Sequence, residues 1–169
     1  MTIVFYVSGA VAIAATAMMI TRLHAVHALL YLIVSLLAVS VVFYTLGAPF
    51  VAALEVIIYA GAIMVLFVFV VMLLNLGEQA ARMERALLKP SMWIGPSILA
   101  AILMAEFVYL LVATPRGSSE GVAIGPHAVG ESLFGTYLIG VELASMLLLG
   151  GLVGAYHLGY RAAPKPEGR

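Results

Sequence analysis

The sequence contains no cysteine and very little charge. The missing cysteines exclude disulfide bonds, thiolate-held zinc and cysteine-held iron–sulfur clusters in this chain. Charged side chains make up 9% of the 169 residues, whereas they make up about a quarter of an average soluble protein. The composition therefore argues against a soluble domain, and any electron transfer coupled to this chain must occur in another chain.

Apolar residues take the place of the missing charge. They account for 64% of the chain, and the mean hydropathy of +1.17 is typical of an integral membrane protein. The formal net charge is zero, so we expect no nucleic-acid partner. No basic segment precedes the first apolar run, and we interpret that run as the first span of the mature protein rather than as a cleaved signal.

Five apolar segments are long enough to cross a bilayer, whose core of about 30 Å takes about 20 residues of helix. The sequence therefore predicts an all-α integral membrane protein with a single transmembrane domain over residues 1–158 and a cytoplasmic tail over 159–169. The predicted helices cover about residues 3–20, 26–46, 51–76, 92–113 and 133–158. Short connections favour antiparallel packing of the first three helices. The Gly-, Pro- and Ser-rich stretch 114–132 is predicted to be an exposed loop.

Basic residues are distributed unevenly between the two sides of this bundle. If the N-terminus lies outside, seven of the eight Lys and Arg residues fall on the inner side and only Arg116 falls outside. Inner loops of membrane proteins carry an excess of Lys and Arg. The distribution predicts a periplasmic N-terminus and a cytoplasmic C-terminus.

Three acidic residues fall inside predicted spans, namely Glu55, Glu106 and Glu142, and no span contains a deep Lys or Arg. A charge at mid-membrane costs roughly 2.5–3.5 kcal/mol on insertion scales. Each acid is therefore expected either to be protonated or to face water or cations supplied by other subunits. Both outcomes favour a chain embedded in a larger assembly. For Glu106 and Glu142 we expect snorkelling or a structural hydrogen bond with a neighbour.

The third span carries one of these acids near its outer end. From residue 55 onward it reads EVIIYAGAIMVLFVFVVMLLNL. With 3.6 residues per turn, Glu55, Tyr59, Ala62 and Leu66 share one face. A carboxyl and a phenol one turn apart on that face can share a proton or a water. The rest of the face is apolar, and a dry section of this kind can gate a water path.

The same span is long and contains a glycine near its centre. About 26 residues of helix exceed the hydrocarbon thickness, so the helix must tilt or deform. Gly61 either permits a π-bulge or allows another helix to pack closely, and the residues alone leave both alternatives open.

Three stretches of the sequence resemble one family of membrane proteins. EVIIYAGAIMVLFVFVVMLLNL is similar to the third helix of the subunit J family of proton-pumping NADH–quinone oxidoreductase, the respiratory complex I. HALLYLIVSLLAVS (27–40) resembles the second helix of that family, and LKPSMWIGPSIL (88–99) resembles its loop into the fourth helix. The resemblance is specific from residue 26 to residue 99 and is one of hydropathy alone in the C-terminal part.

The resemblance implies a small core subunit of the membrane arm, located in the bacterial inner membrane. In this family the third helix is proposed to switch between a regular α-helix and a π-bulged form. That switch would make or break a hydrated path and so couple quinone reduction to proton translocation. Glu55 and Tyr59 match the acid and the tyrosine of the family motif. The hinge region of the family is matched by Gly61, Met64, Val65, Phe67, Val68 and Phe69.

The resemblance also implies which groups and partners lie outside this chain. Members of the family are non-catalytic subunits of an H⁺-translocating NADH:quinone reductase, with no redox centre of their own. FMN, iron–sulfur clusters and quinone, with ubiquinone expected, belong to other subunits. The expected partners are the quinone-module subunit, the small subunits A and K, the antiporter-like subunits and the lipid bilayer.

Two other patterns are weaker. His24 and His27 lie one turn apart, but two ligands without a nearby carboxylate or thiolate make a poor metal site, so no metal is predicted. Gly150 and Gly154 form a GxxxG pattern in the fifth span, which predicts close approach of another helix. The sequence contains no dinucleotide-binding fingerprint and no P-loop.

Two alternative functions remain open at this point. One is a small stand-alone secondary transporter, although such proteins usually show internal repeats and broken helices near the midplane, and neither is evident. The other is a purely structural subunit of the same complex, which has the same partners but assigns no role to Glu55.

The predicted orientation is testable by cysteine labelling, because the natural chain has no cysteine. A cysteine that replaces Ser118 is expected to react with a membrane-impermeant maleimide in intact cells. A cysteine that replaces Lys165 is expected to react only after the membrane is permeabilised. Labelling of position 165 from the outside would contradict the orientation.

Overall fold

The computed structural model describes four stretches of the chain, residues 1–22, 25–74, 90–113 and 123–161. All regular secondary structure in these stretches is helical. Five of the helices are long and apolar enough to cross a membrane. The chain divides into two compact units, Met1–Ile124 and Gly125–Arg169.

Four long helices form the first unit. They are α1 (Thr2–Ile20), α2 (Ala25–Thr45), α3 and α4 (Pro90–Ala113). α3 runs without interruption through an α-helical segment Pro49–Leu54, a π-helical segment Glu55–Ile63 and an α-helical segment Met64–Leu74. The described helices begin and end within two residues of the first four predicted spans, and the predicted residues 75–76 lie outside the described stretches.

The turn between α2 and α3 is set by two residues with special backbones. Gly47 has a φ of +81°, which a residue with a Cβ adopts only with strain. Pro49 then begins α3. In the first turn of a helix a backbone N–H has no hydrogen-bond partner within the helix, so proline loses no hydrogen bond there. The carbonyl of Gly47 also accepts a hydrogen bond of 3.0 Å from the main-chain N–H of Ile124. The chain after α4 therefore returns to the same end of the bundle as the α2–α3 turn.

The core of the first unit lies between α1, α2 and α4. Its buried apolar residues are Val11, Ala15, Val34, Ala38 and Leu103. Ala15 and Ala38 are completely buried. Small side chains at these positions let α1 and α2 approach closely, which is how helices gain packing energy in a bilayer that offers no hydrophobic driving force between them.

Hydroxyl groups reinforce the contact between α1 and α2. The hydroxyls of Thr16 and Ser35 lie 2.8 Å apart, and the Ser35 hydroxyl is also within 3.2 Å of the carbonyl of Ala12. Interhelical hydrogen bonds of this kind contribute about 1–2 kcal/mol at most within membranes. These bonds mainly fix the register of α1 against α2 and add little to the stability of the helix pair.

α2 contacts α4 through a buried tyrosine. Tyr31 is 2% exposed, its ring stacks on His27 with a centroid distance of 5.2 Å, and the Arg22 guanidinium lies 5.3 Å from the ring centroid. Its hydroxyl occupies the space that a Cβ at Gly95 would need. Gly95 therefore lets the tyrosine reach the backbone of α4, a role that the sequence analysis did not assign.

The second unit contains a short helix, α5 (Pro126–Phe134), and the fifth span, α6 (Leu138–Arg161). The expectation of a loop up to residue 132 is wrong for α5, where Gly125 and Pro126 provide a helix start. The predicted start of the fifth span at residue 133 is also displaced. Gly135 takes a φ of −115° and a ψ of −97°, which interrupts the helix. A Cβ at that position would lie 2.7 Å from the carbonyl oxygen of Glu131.

The C-terminal bound also differs from the prediction. α6 continues to Arg161, three residues beyond the predicted end at 158. The remaining residues of the predicted cytoplasmic tail, 162–169, lie outside the described stretches.

The Tyr31–Gly95 contact predicts a specific pair of effects on stability. Gly95→Ala places a methyl group on the Tyr31 hydroxyl, and overpacking of this kind typically costs about 1–3 kcal/mol. We expect a lower thermal stability of the detergent-solubilised complex that contains this chain. Adding Tyr31→Phe removes the colliding oxygen and should recover part of the loss. Equal destabilisation in the single Gly95→Ala and the double variant would contradict this packing.

Candidate functional site

The site lies in α3, where the hydrogen-bonding pattern of the helix changes. Residues Glu55–Ile63, with the sequence EVIIYAGAI, form a π-helix between two α-helical segments. In a π-helix each N–H bonds to the carbonyl five residues earlier instead of four. Such segments are rare and are frequently found at functional sites. The segment contains both residues of the acid–tyrosine pair singled out in the sequence.

Gly61 explains in part why this sequence tolerates the π form. An ideal Cβ at Gly61 would lie 3.1 Å from the carbonyl oxygen of Val56, five residues earlier. That separation is shorter than an ordinary van der Waals contact, so a side chain would require the turn to shift. No atom of another helix in the described part of the chain lies within 4 Å of that Cβ position. Of the two alternatives for this glycine, the geometry favours helix deformation over close packing within the unit.

The segment before the π-helix is tied to α2. The hydroxyl of Ser40, which is buried, donates to the main-chain carbonyl of Ala52 at 2.8 Å. Ala52 is itself buried and lies one turn before the π-helix starts. The bond fixes the position of the upstream turn against α2. Sequence reasoning missed Ser40, whose polar side chain in a mainly apolar span was the available signal.

The segment after the π-helix is held by Met64. This residue is 1% exposed and is one of the largest fully buried side chains in the described structure. The hinge residues that follow it in the α-helical segment are at least 41% exposed. They are Val65, Phe67, Val68 and Phe69. Of the predicted hinge residues, only Gly61 therefore lies within the π-helix, and only Met64 is buried within this unit.

Glu55 and Tyr59 occupy the first and fifth positions of the π-helix. Glu55 is partly buried and Tyr59 is 50% exposed. Across these residues the 3.6-residue periodicity used to place Glu55, Tyr59, Ala62 and Leu66 on one face does not hold, because the helix is not an α-helix here. A carboxyl and a phenol are nevertheless present within one turn, and both types of group exchange protons.

A cavity lies beside the start of the π-helix. It has a volume of about 290 Å³ and is lined by residues of α2, α3 and α4, including Ser40, Ala52, Val56, Phe107 and Leu110. Its lining is predominantly apolar. The cavity leaves room next to Val56, so a rearrangement of this turn does not need to displace the neighbouring helices.

The other two intramembrane acids belong to other helices than α3. Glu106 on α4 is 9% exposed and accepts a hydrogen bond of 2.7 Å from the hydroxyl of Ser8 on α1, in line with the structural role expected for it. Glu142 lies on α6, where the hydroxyl of Ser145 donates to its main-chain carbonyl at 2.7 Å.

The remaining predicted features do not form sites in the described residues. His27 stacks on Tyr31, while His24 lies outside the described stretches. No group of three or more metal-ligating side chains is found in the part of the chain that the structure describes. Among the described residues of the second unit, none would contact a Cβ at Gly150 or Gly154, so the GxxxG pattern remains a prediction about helix packing.

The fold and the site define a multi-pass helical membrane protein with a π-helical third span. Residues 15–158 match the family NADH-ubiquinone/plastoquinone oxidoreductase chain 6. The chain is 56% identical to NADH-quinone oxidoreductase subunit J of Pseudomonas aeruginosa over 96% of its length and 99% of that protein. It is 57% identical to the subunit J of Escherichia coli strain K12, over 94% of this chain and 86% of that protein.

A more distant relative extends the same pattern. The chain is 47% identical to NADH-quinone oxidoreductase subunit J of Buchnera aphidicola from Acyrthosiphon pisum, over 94% of both chains. The protein belongs to the subunit J family of NADH-quinone oxidoreductases and is a membrane subunit of respiratory complex I. The resemblance seen in the sequence is thereby confirmed.

The geometry around Gly61 predicts how one methyl group changes the helix. Gly61→Ala crowds the Val56 carbonyl in the π form, so we expect it to shift the population of this segment toward a regular α-helix. A cysteine at position 64 reports the change, because Met64 is buried when the segment is π-helical. We expect position 64 to react faster with a thiol reagent when Gly61→Ala is present.

The matched control is Gly9→Ala in α1, where a Cβ meets nothing within 4 Å. It carries the same chemical change in another span and should leave the reactivity of position 64 unaltered. Unchanged reactivity with Gly61→Ala would show that the glycine does not set the helix type.

Proposed function

We propose that α3 couples quinone reduction in the complex to proton translocation by switching between the π-helical form and a regular α-helix. The observation that supports the proposal is the π-helix Glu55–Ile63, which ends immediately before the buried Met64. Both forms satisfy the backbone hydrogen bonds within the helix, so neither exposes polar backbone to lipid.

The proposed switch rotates the downstream part of α3. The Ser40–Ala52 hydrogen bond holds the upstream turn, so a change of hydrogen-bond register must be taken up by residues after it. One residue of register corresponds to about 100° of rotation at 3.6 residues per turn. Such a rotation removes Met64 from its buried position and turns Val65, Phe67, Val68 and Phe69 toward new neighbours.

This rotation would open and close a water path. The polar pair Glu55 and Tyr59 lies above a wholly apolar segment, MVLFVFVVMLL. A constriction lined by apolar side chains excludes water, and widening it or replacing its lining restores hydration. In the proposal, protons reach the level of Tyr59 in both forms and pass the apolar segment only in one of them.

The setting of this switch is also part of the proposal. The chain lies in the bacterial inner membrane with a periplasmic N-terminus and a cytoplasmic C-terminus. It contributes no catalytic residue and no redox centre. FMN, iron–sulfur clusters and quinone are bound by other subunits. Its neighbours are the quinone-module subunit, subunits A and K and the antiporter-like subunits.

The two alternative functions, a stand-alone transporter and a purely structural subunit, are not equally compatible with the observations. Membership of the subunit J family argues against a stand-alone transporter. A purely structural subunit would need no π-helix and no acid–tyrosine pair in its third span. The substitution described next separates the structural role from the coupling role.

Removing both proton-exchanging groups of α3 tests the coupling role. In the double variant Glu55→Ala with Tyr59→Phe, we expect proton pumping per quinone-linked turnover to fall by about tenfold, which corresponds to about 1.4 kcal/mol in the barrier. Assembly of the complex should persist, because neither side chain is part of the buried core. Pumping and NADH oxidation are measured together in inside-out membrane vesicles.

The control is Tyr6→Phe, which makes the same phenol-to-phenyl change at an exposed position of α1. It should leave pumping and turnover unchanged. Normal coupled activity in the double variant, in a fully assembled complex, would reduce the chain to a structural role.

A further inference from the structure

The buried carboxyl of Glu106 is only half satisfied. One of its oxygens, Oε2, accepts the hydrogen bond from Ser8 at 2.7 Å. The other oxygen, Oε1, is buried and has no hydrogen-bond partner. An acceptor left unpaired in a buried position destabilises the protein, and more so when the group is charged. A donor from outside the described residues would remove that destabilisation.

The side chain of Glu106 also lines a cavity between α1 and α4. The cavity has a volume of about 730 Å³. Its lining comes from α1 and α4 and includes Ile3, Val7, Ile102, Ala105 and Glu106. Glu106 lies seven residues before the end of α4, which is about 10 Å of helix and places it at membrane depth.

We propose that this cavity receives a basic side chain, Lys or Arg, from a transmembrane helix of a neighbouring subunit of the complex. The proposal uses the family membership and does not depend on the proposed switch in α3. Lys and Arg combine an aliphatic stem with a charged donor head. The apolar walls match the stem, and the carboxyl of Glu106, which has one acceptor oxygen unpaired, matches the head.

We infer that the donor comes from another chain. No Lys or Arg lies in the interior of an apolar run of this sequence, and the Arg22 guanidinium lies over the Tyr31 ring. Water is a poorer occupant than a side chain, because a bound water needs two to four polar partners and most of the lining is apolar. Ile3, which lines the cavity, is 79% exposed, so the cavity can be reached from outside this unit. Because Glu106 lies at membrane depth, the donor is expected on a transmembrane helix.

A photo-crosslinking amino acid at Ile102 identifies the occupant in the intact complex in native membranes. The matched control position is Ala100, which is exposed on α4 but does not line the cavity. We expect the probe at 102, and not the probe at 100, to crosslink to a transmembrane segment that carries a Lys or Arg near the crosslinked residue. Crosslinking to lipid alone, or to a segment without a basic residue, would overturn the proposal.

Removing the charge of Glu106 then tests the ion pair itself. Glu106→Gln keeps the size of the side chain and its contact with Ser8 but removes the charge. Removing one member of a buried charge pair leaves the other charge unpaired, so we expect the recovery of assembled complex after mild detergent challenge to fall about tenfold or more. Ser8→Ala, which leaves the proposed pair intact, should cause a smaller loss.

The reciprocal exchange gives the decisive outcome. Glu106→Lys should abolish recovery of the assembled complex, and replacing the crosslinked basic residue of the neighbour by Glu should restore it to within about twofold. Failure of the reciprocal exchange to restore recovery, or normal recovery with Glu106→Gln, would overturn the ion pair. Neither outcome affects the proposed role of α3, because Glu55 and Tyr59 remain unchanged in every variant.

Discussion

Inside a bilayer every backbone N–H and carbonyl must be hydrogen-bonded within the protein, because lipid offers no replacement partner. This constraint decides which conformational changes a spanning helix can undergo. A kink or a break would leave several polar groups unpaired, each at a cost of several kcal/mol. A change from i→i+4 to i→i+5 bonding keeps nearly all of them paired. The π-helix Glu55–Ile63 is therefore a deformation that is compatible with a membrane-spanning helix.

The contacts at the two ends of the π-helix hold the upstream segment of α3 more firmly than the downstream segment. Ser40 binds the carbonyl of Ala52 on the upstream side, and Met64 is buried on the downstream side. The upstream contact is a hydrogen bond to the backbone, which holds a carbonyl in place. The downstream contact is apolar packing of an unbranched, adaptable side chain, which is easier to rearrange. Any change of helix register is thus expected to move the downstream segment, where the apolar lining of the proposed path lies.

Most of the fold followed from the sequence, but the decisive features of the site did not. The apolar runs place α1 to α4 because length and hydropathy alone determine which segments span a bilayer. The break at Gly135 was missed because it lies inside a continuous apolar run, and only the backbone angles reveal it. The sequence pointed to Gly61 as a site of either helix deformation or close packing. The distance to the Val56 carbonyl, which distinguishes these two interpretations, cannot be read from a sequence. Ser40, Gly95 and the Ser8–Glu106 bond were missed because contacts between helices depend on their relative rotation, which single-helix periodicity does not supply.

The central claim is that α3 changes its helix type during turnover. The most direct measurement is a structure of the intact complex in two states, one without substrates and one trapped during NADH–quinone turnover, at a resolution that shows ordered water near Tyr59. The account predicts a π-helix over Glu55–Ile63 in one state and an α-helix in the other. Met64 should leave its buried position in the α-helical state, and the extent of water below Tyr59 should differ between the two states. The same hydrogen-bonding pattern and the same water positions in both states would contradict it.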